Sequence, residues 1–321
     1  MERAAAGVRA QGSAELATAE DLWHVGSLTK SMTATLAGVL VERGDISWGT
    51  TVSEVLPGLI ATTDPEYRDV RLDELLGHRS GSPQNVPSDW PGLNDRTTPM
   101  LELRRQYAAT SLAMDPVGDR GSYFYSNAGY VVAGVMLEQG TGTQWEELLR
   151  TEIFTPLGMD ASGFGAPGSP GTRDQPWGHT ASSGGWVGVA PGPAADNPPV
   201  LGPAGTVHVK LADYARYMLA HVAGARGTGG LISSATYSRL HTPPAGADYA
   251  LGWETLEETC ADGRVLAHIG TNTVWYASVW LAPERDLGLF AVTNAGGDDA
   301  ARATEAAVTE MIARLDRLVG S

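Results

Sequence analysis

The order of helical and strand-like stretches constrains this chain more than any single residue does. From Ser27 to Arg43 the apolar residues Leu28, Met32, Leu36, Val39 and Leu40 recur at helical spacing, and Gly44 supplies a C-terminal stop. Further helical patterns run over residues 72–76, 100–112, 127–138, 144–154, 211–222 and 300–318. Strand-like runs gather instead near the C-terminus, over residues 249–256, 265–269, 274–281 and 287–293, with turns at 261–263 and 283–286. Ahead of Ser27 there is room for one strand, around Gly7 to Ala10. This layout is not an alternation of βαβ units. It predicts an α+β fold, with an antiparallel sheet flanked by helices and an inserted, mainly helical domain. Residues 1–55 and 205–321 are expected to form a sheet domain built from both chain ends, and residues 56–204 the helical insertion.

The insertion ends in an unusual stretch. Residues 161–206 hold eleven Gly and eight Pro, yet also Trp177, His179 and Trp186. Tryptophans are uncommon in a pure linker, so the stretch is read as a long ordered loop lying over a cleft.

Charge and cysteine content exclude several classes. Asp and Glu number 37 against 22 Lys and Arg, a formal charge of −15, which disfavours a partner bound through phosphates such as nucleic acid. Cys260 is the single cysteine, so neither a disulfide framework nor a Cys-based metal cluster is available. The start lacks the apolar core of a signal peptide and no run approaches a membrane span, so a soluble, cytoplasmic protein without a membrane partner is expected. The seven histidines are dispersed: His78, His179, His208, His221 and His241 suggest no metal site, and no cofactor is implied. No Gly-x-Ser-x-Gly, His-Glu-x-x-His or P-loop motif occurs.

Among the 22 basic residues only Lys30 and Lys210 are lysines. Lys30 lies three residues after Ser27, which places an amine and a hydroxyl on one helix face at a helix N-terminus. A nucleophile, a neighbouring base and backbone donors for an oxyanion are what an activated serine needs. With two lysines in the chain, a chance Ser-x-x-Lys is expected only roughly 0.1 times. Arginine stays protonated, whereas a desolvated lysine can serve as a base. Lys210 has no serine at helical spacing and receives no role. Tyr125-Ser126-Asn127 offers a phenol as a proton carrier and an amide to bind a carbonyl or Lys30, although a core tyrosine with a capping asparagine would look the same. His268-Ile269-Gly270-Thr271 ends a strand-like run, where a glycine lets a ligand approach the backbone. Trp177, Trp186 and Trp275 are candidates for an apolar acyl pocket.

Taken in order, these segments resemble the serine hydrolase family of class C β-lactamases, D-Ala-D-Ala carboxypeptidases and related esterases. The resemblance rests on His24-Val25-Gly26-Ser27-Leu28-Thr29-Lys30, on Leu75-Leu76-Gly77-His78-Arg79-Ser80-Gly81 and on Tyr125-Ser126-Asn127. It continues through Pro156-Leu157-Gly158-Met159, Pro203-Ala204-Gly205, Leu251-Gly252-Trp253 and His268-Ile269-Gly270. It implies an acyl-Ser27 enzyme in which Lys30 accepts the proton or holds Tyr125 ionised, and Tyr125 serves the leaving group and then water. It further implies that Asn127, His268 and Gly270 bind substrate and that the amides of Ser27 and Thr271 form the oxyanion hole. Where the β-lactamases usually carry Lys-Thr-Gly, this chain has His268-Ile269-Gly270, so a fixed cation gives way to a group expected to titrate near neutrality.

The expected function is hydrolysis of a small ester or amide, esterase-like. A D-stereospecific peptidase, a β-lactam-recognising hydrolase and an acyltransferase share the same acyl-enzyme, and a non-catalytic binding protein is the alternative from another class. The oligomeric state is left open.

Overall fold

The structure, a computed structural model, describes residues 1–319. Its helices are α1 (Thr29–Arg43), α2 (Val52–Val55), α3 (Leu72–Leu76), α4 (Met100–Leu112), α5 (Asn127–Thr141), α6 (Trp145–Leu149), α7 (Gly202–Gly205), α8 (Leu211–Ala225), α9 (Ser234–His241) and α10 (Asp298–Val319). The strands are β1 (Leu22–His24), β2 (Gly163–Phe164), β3 (Gly178–Ser182), β4 (Gly185–Val189), β5 (Val207–Lys210), β6 (Glu254–Glu258), β7 (Gly263–Thr271), β8 (Tyr276–Ala282) and β9 (Leu287–Thr293). The four C-terminal strands form an antiparallel meander in the order β6-β7-β8-β9. The amphipathic helix α10 closes it, packing Val308, Met311, Ile312 and Leu315 against Leu289, Ala291 and Trp280.

Helix α1 lies at the centre of the main core. Its Met32, Leu36 and Leu40 share one apolar cluster with Leu266, Val279 and Leu281 of the sheet and with Tyr130, Val132 and Met136 of α5. Every residue from Thr29 to Gly38 is buried, so the polar ones need internal partners. Ser31 Oγ donates to Leu28 O at 2.8 Å, Thr33 Oγ1 to Pro203 O at 2.7 Å and Thr35 Oγ1 to Ser31 O at 2.8 Å. The helix ends where expected, at Gly44 in the left-handed region with φ +85°. Truncating a fully buried side chain such as Leu36 to alanine removes about 2–5 kcal/mol.

Three expectations are corrected. Gly7 to Ala10 is not a strand: Gly7 and Gly12 carry positive φ, and the segment keeps only an isolated bridge between Val8 and Leu16. The strand ahead of Ser27 is β1, which pairs with β5 in a three-stranded sheet of order β1-β5-β2, so residues 1–55 and 205–321 meet in this small sheet and not in the C-terminal meander. Third, strand β6 begins at Glu254 rather than Tyr249. Ahead of it Gly252 takes φ +79° and passes so close to α1 that a Cβ there would lie 2.7 Å from Ser31 Cα.

Residues 161–206 are ordered. They contain β2, the β3-β4 hairpin and α7. His179 ties them to both chain ends, its Nε2 accepting from Gln11 N at 2.9 Å and its Nδ1 donating to Asn294 O at 2.6 Å.

Candidate active site

Ser27 sits in a 3₁₀ turn, Gly26–Leu28, that runs directly into α1. The turn needs glycine at its first position, because Gly26 adopts φ +52° and a Cβ on it would lie 2.5 Å from Thr271 N. Gly270 mirrors it: a Cβ there would lie 2.0 Å from Val25 O and 2.9 Å from Ser27 N. Two glycines thus let the end of β7 press backbone-to-backbone against the serine turn. The partner strand β6 covers β7 only as far as Ala267, so among the described residues no strand covers residues 268–271 on that edge.

Lys30 is completely buried one turn after Ser27. Its Nζ lies 3.0 Å from Ser27 Oγ and donates to Asn127 Oδ1 and Ala204 O, each at 2.8 Å. None of these partners is a carboxylate, and desolvation pushes the amine well below its ordinary pKa. Two of the three are pure acceptors, which a neutral amine satisfies with its two N–H groups while its lone pair faces Ser27.

The Tyr125 hydroxyl also donates to Ser27 Oγ, at 2.8 Å. Burial pushes this phenol above its ordinary range, so it holds its proton, while its bond to Ser27 works weakly the other way. His78 grips the residue from both flanks: Phe124 N donates to His78 O at 2.8 Å, and Ser126 N to His78 Nδ1 at 3.1 Å. Their rings also pack, with centroids 4.4 Å apart. His78 occupies the left-handed region at φ +58°, unusual for a non-glycine residue. The cap of α5 is Ser126, whose Oγ accepts from Gly129 N at 2.7 Å, and Asn127 is the first helical residue. Its Oδ1 is taken by Lys30, and its Nδ2 donates to Asn85 Oδ1 at 3.1 Å, leaving one N–H over.

The expectation for His268 is corrected. The ring is buried; Nδ1 donates to Ile269 O at 2.6 Å, so Nε2 accepts from the Tyr249 hydroxyl at 3.1 Å. Burial, reinforced by nearby Lys30, lowers its pKa to about 4. His268 therefore presents neither a cation nor a group that titrates near neutrality.

The structure brings Ser27, Lys30, Tyr125 and Asn127 together and sets Gly270 and Thr271 against the serine turn. Of the tryptophans, Trp275 is buried edge-on against Trp23 with ring centroids 6.1 Å apart, and Trp177 Nε1 donates to Thr172 O at 2.8 Å. Trp186 lies half-buried on β4. Lys210 pairs loosely with Glu20 at 3.9 Å. Among the described residues no cluster of three or more His, Cys, Asp or Glu side chains could hold a metal ion, and no helix is long and apolar enough to cross a membrane. Sequence reasoning missed Asn85, the carbonyl of Ala204, Tyr249 and the grip of His78. Ala204 and His78 lay within recognised motifs; nothing marked Asn85 or Tyr249.

The family model described as Beta-lactamase matches residues 2–310. The chain belongs to the Beta-lactamase family. It is 30% identical over 162 residues to penicillin-binding protein 4 of Amycolatopsis lactamdurans, covering 50% of this chain and 41% of that protein. With a protein named unguisins hydrolase from Aspergillus campestris it shares 25% identity over 291 residues, 87% of this chain and 53% of that one. The chain thus spans about half the length of these curated relatives. Among solved structures it is similar to a D-stereospecific amidohydrolase from Streptomyces, with a TM-score of 0.68 at 24% identity over 87% of this chain and 84% of that one. That likeness concerns the fold, and it agrees with the α+β architecture seen here.

Proposed function

We propose that this member of the Beta-lactamase family is an esterase-like serine hydrolase that cleaves a small ester or amide through an acyl-Ser27 intermediate. The observation that carries the reading is the pair of hydrogen bonds at Ser27 Oγ, to a buried amine at 3.0 Å and a half-buried phenol at 2.8 Å. Burial favours the neutral form of both, which supports Lys30 rather than an ionised Tyr125 as the first base.

The proton traffic then balances. Ser27 Oγ attacks the substrate carbonyl and its proton passes to Lys30 Nζ. The amides of Ser27 and Thr271 hold the oxyanion, and the spare N–H of Asn127 points the acyl carbonyl or amide. As the bond to the leaving group breaks, Tyr125 gives that group its proton. The pair is left as ammonium and phenolate. In deacylation the phenolate takes a proton from water, hydroxide attacks the acyl carbonyl, and Ser27 Oγ departs with the proton of Lys30.

The neutral, internally bonded His268 favours an uncharged substrate over one that carries a carboxylate toward β7. Support for amide cleavage comes only from the names of relatives. A fluorophosphonate and a p-nitrophenyl ester test the reading: the first is expected to phosphonylate Ser27 with loss of fluoride and the second to acylate it with release of p-nitrophenol, and no labelling of the wild type, or equal labelling of Ser27→Ala, overturns it. A panel of short-chain esters, D-amino-acid amides and a chromogenic cephalosporin, run with and without an alcohol or amine acceptor, separates hydrolysis from transfer and ester from amide.

A further inference from the structure

We infer that Asp196 and His24 are positioning residues, and that Ala195, Asp196 and Asn197 of the Gly/Pro-rich stretch form a brace that holds the acylating turn, the Ala204 carbonyl that receives Lys30 Nζ and the β7-β8 hairpin in register. The inference rests on Ser27 as the nucleophile, and it gives a role to His24 at the head of the serine motif and to Asp196, which no motif marks.

His24 is fully buried at the end of β1, and Gly26 N donates to its Nδ1 at 3.1 Å. That nitrogen must accept, so the ring carries its proton on Nε2, which donates to Asp196 Oδ1 at 2.7 Å. An Asp-His pair beside a nucleophilic serine invites a relay reading, but the geometry opposes it. The ring spends its second nitrogen on the backbone of Gly26, the glycine whose φ of +52° aims the turn, and makes no hydrogen bond to Ser27 Oγ. The pair fixes a backbone amide rather than moving a proton.

The neighbours of Asp196 hold the other two parts. Asn197 Nδ2 donates to Gly205 O at 2.7 Å, next to the Ala204 carbonyl that receives Lys30 Nζ. Gly205 packs on the serine turn, where an added Cβ would lie 3.6 Å from Gly26 C. On the opposite side Ala195 O accepts from Asn272 Nδ2 at 3.0 Å, and buried Asn272 follows Thr271 directly while its Oδ1 accepts from Trp275 N at 3.1 Å. Asn197 therefore binds the backbone of Gly205 directly, whereas Asp196 reaches the serine turn through the His24 ring and Ala195 reaches the β7-β8 hairpin through the Asn272 side chain.

Displacing a reacting group by about 1 Å can cost 10²-fold in rate. For Asp196→Ala we expect acylation of Ser27 by a p-nitrophenyl ester to slow about 10- to 100-fold with KM within threefold of wild type. Asp196→Asn, whose Oδ1 can still accept from His24, is expected to retain most of the rate. Independently of activity, amide hydrogen exchange in residues 22–28 is expected to quicken in the alanine variant and not in the asparagine one. Wild-type acylation, or unchanged exchange, in Asp196→Ala overturns the brace. Should Asp196→Ala fail to fold, Asn197→Ala decides: faster exchange in residues 203–206 with lowered kcat supports it, and unchanged exchange there overturns it. Failure of the wild type to acylate would instead strike at the Ser27 reading and leave the exchange comparison intact.

Discussion

Lys30 and Tyr125 both hydrogen-bond Ser27 Oγ, at 3.0 and 2.8 Å, and burial drives their pKa values apart, the amine down and the phenol up. Burial thereby favours the neutral form of each, and both are hydrogen-bonded to the same serine oxygen.

Removing either group is expected to cost about 10²- to 10⁴-fold in acylation rate. Tyr125→Phe keeps the ring against His78 and is expected to keep its melting temperature within a few degrees. Lys30→Arg is expected to be as slow as Lys30→Met, because a guanidinium stays protonated. The p-nitrophenol burst amplitude and rate measure both, and a fast Lys30→Arg enzyme would remove Lys30 as the base.

Lys30 also links pH to stability. Its folded pKa is depressed, so between that lowered value and about 10.4, the unfolded value, the unfolded state holds one proton more at this site. Its contribution to stability accordingly increases as pH rises through this window. Urea unfolding of wild type and Lys30→Met at several pH values isolates the term: the difference between them should grow in favour of wild type with rising pH. Acylation by an uncharged ester is expected to fall as pH drops through the same depressed value.

Acid should unfold the chain through its interior histidines. Burial lowers His268 to about 4 and His241 to about 3, and holds His78 and His221 well below their ordinary range. Below an unfolded value of about 6.5 each protonates only on unfolding, at a cost to stability of up to ~1.4 kcal/mol per pH unit and group. Stability is therefore present above that value and lost as pH falls toward 4. Replacing His268 with Gln is expected to flatten this slope, and an unaltered slope counts against its burial as the neutral form.

Gly270→Ala places a methyl against Val25 O and Ser27 N. We expect a loss of about 1–3 kcal/mol, typical of an overfilled contact, and a much larger proportional loss of acylation than of stability. Thermal melts beside fluorophosphonate labelling separate the two, and near-normal labelling would show that Thr271 N is not needed for the oxyanion.

The sequence made legible whatever is written in local spacing. The helical repeat from Leu28 to Leu40 and the stop at Gly44 describe α1, and residues 287–293 coincide with β9. Ser27 and Lys30 share one helical turn, so their meeting follows from the spacing alone. Tyr125 came into view only through its motif, because its hydroxyl reaches Ser27 across 98 positions of sequence. Pairing at a distance stayed hidden. Strand β1 is three residues long and gains its identity from β5, nearly two hundred positions later. From its motif His268 is expected at a strand end as a group titrating near neutrality; burial and the Tyr249 hydroxyl make it an interior one. Asp196 sits in a stretch rich in Pro and Gly, where no periodicity points to a partner.

The paired glycines at 26 and 270 also bear on how such a chain can change. Where two backbones touch, there is no side chain to exchange, so point substitution offers almost no gradual adjustment of the gap between Ser27 N and Thr271 N. Exchangeable side chains lie instead at the rim, where Ile269, next to Gly270, stands open to solvent. A randomised library of this protein should therefore alter which molecules enter far more readily than how the bond is broken, and its active members should keep both glycines while their rims diverge.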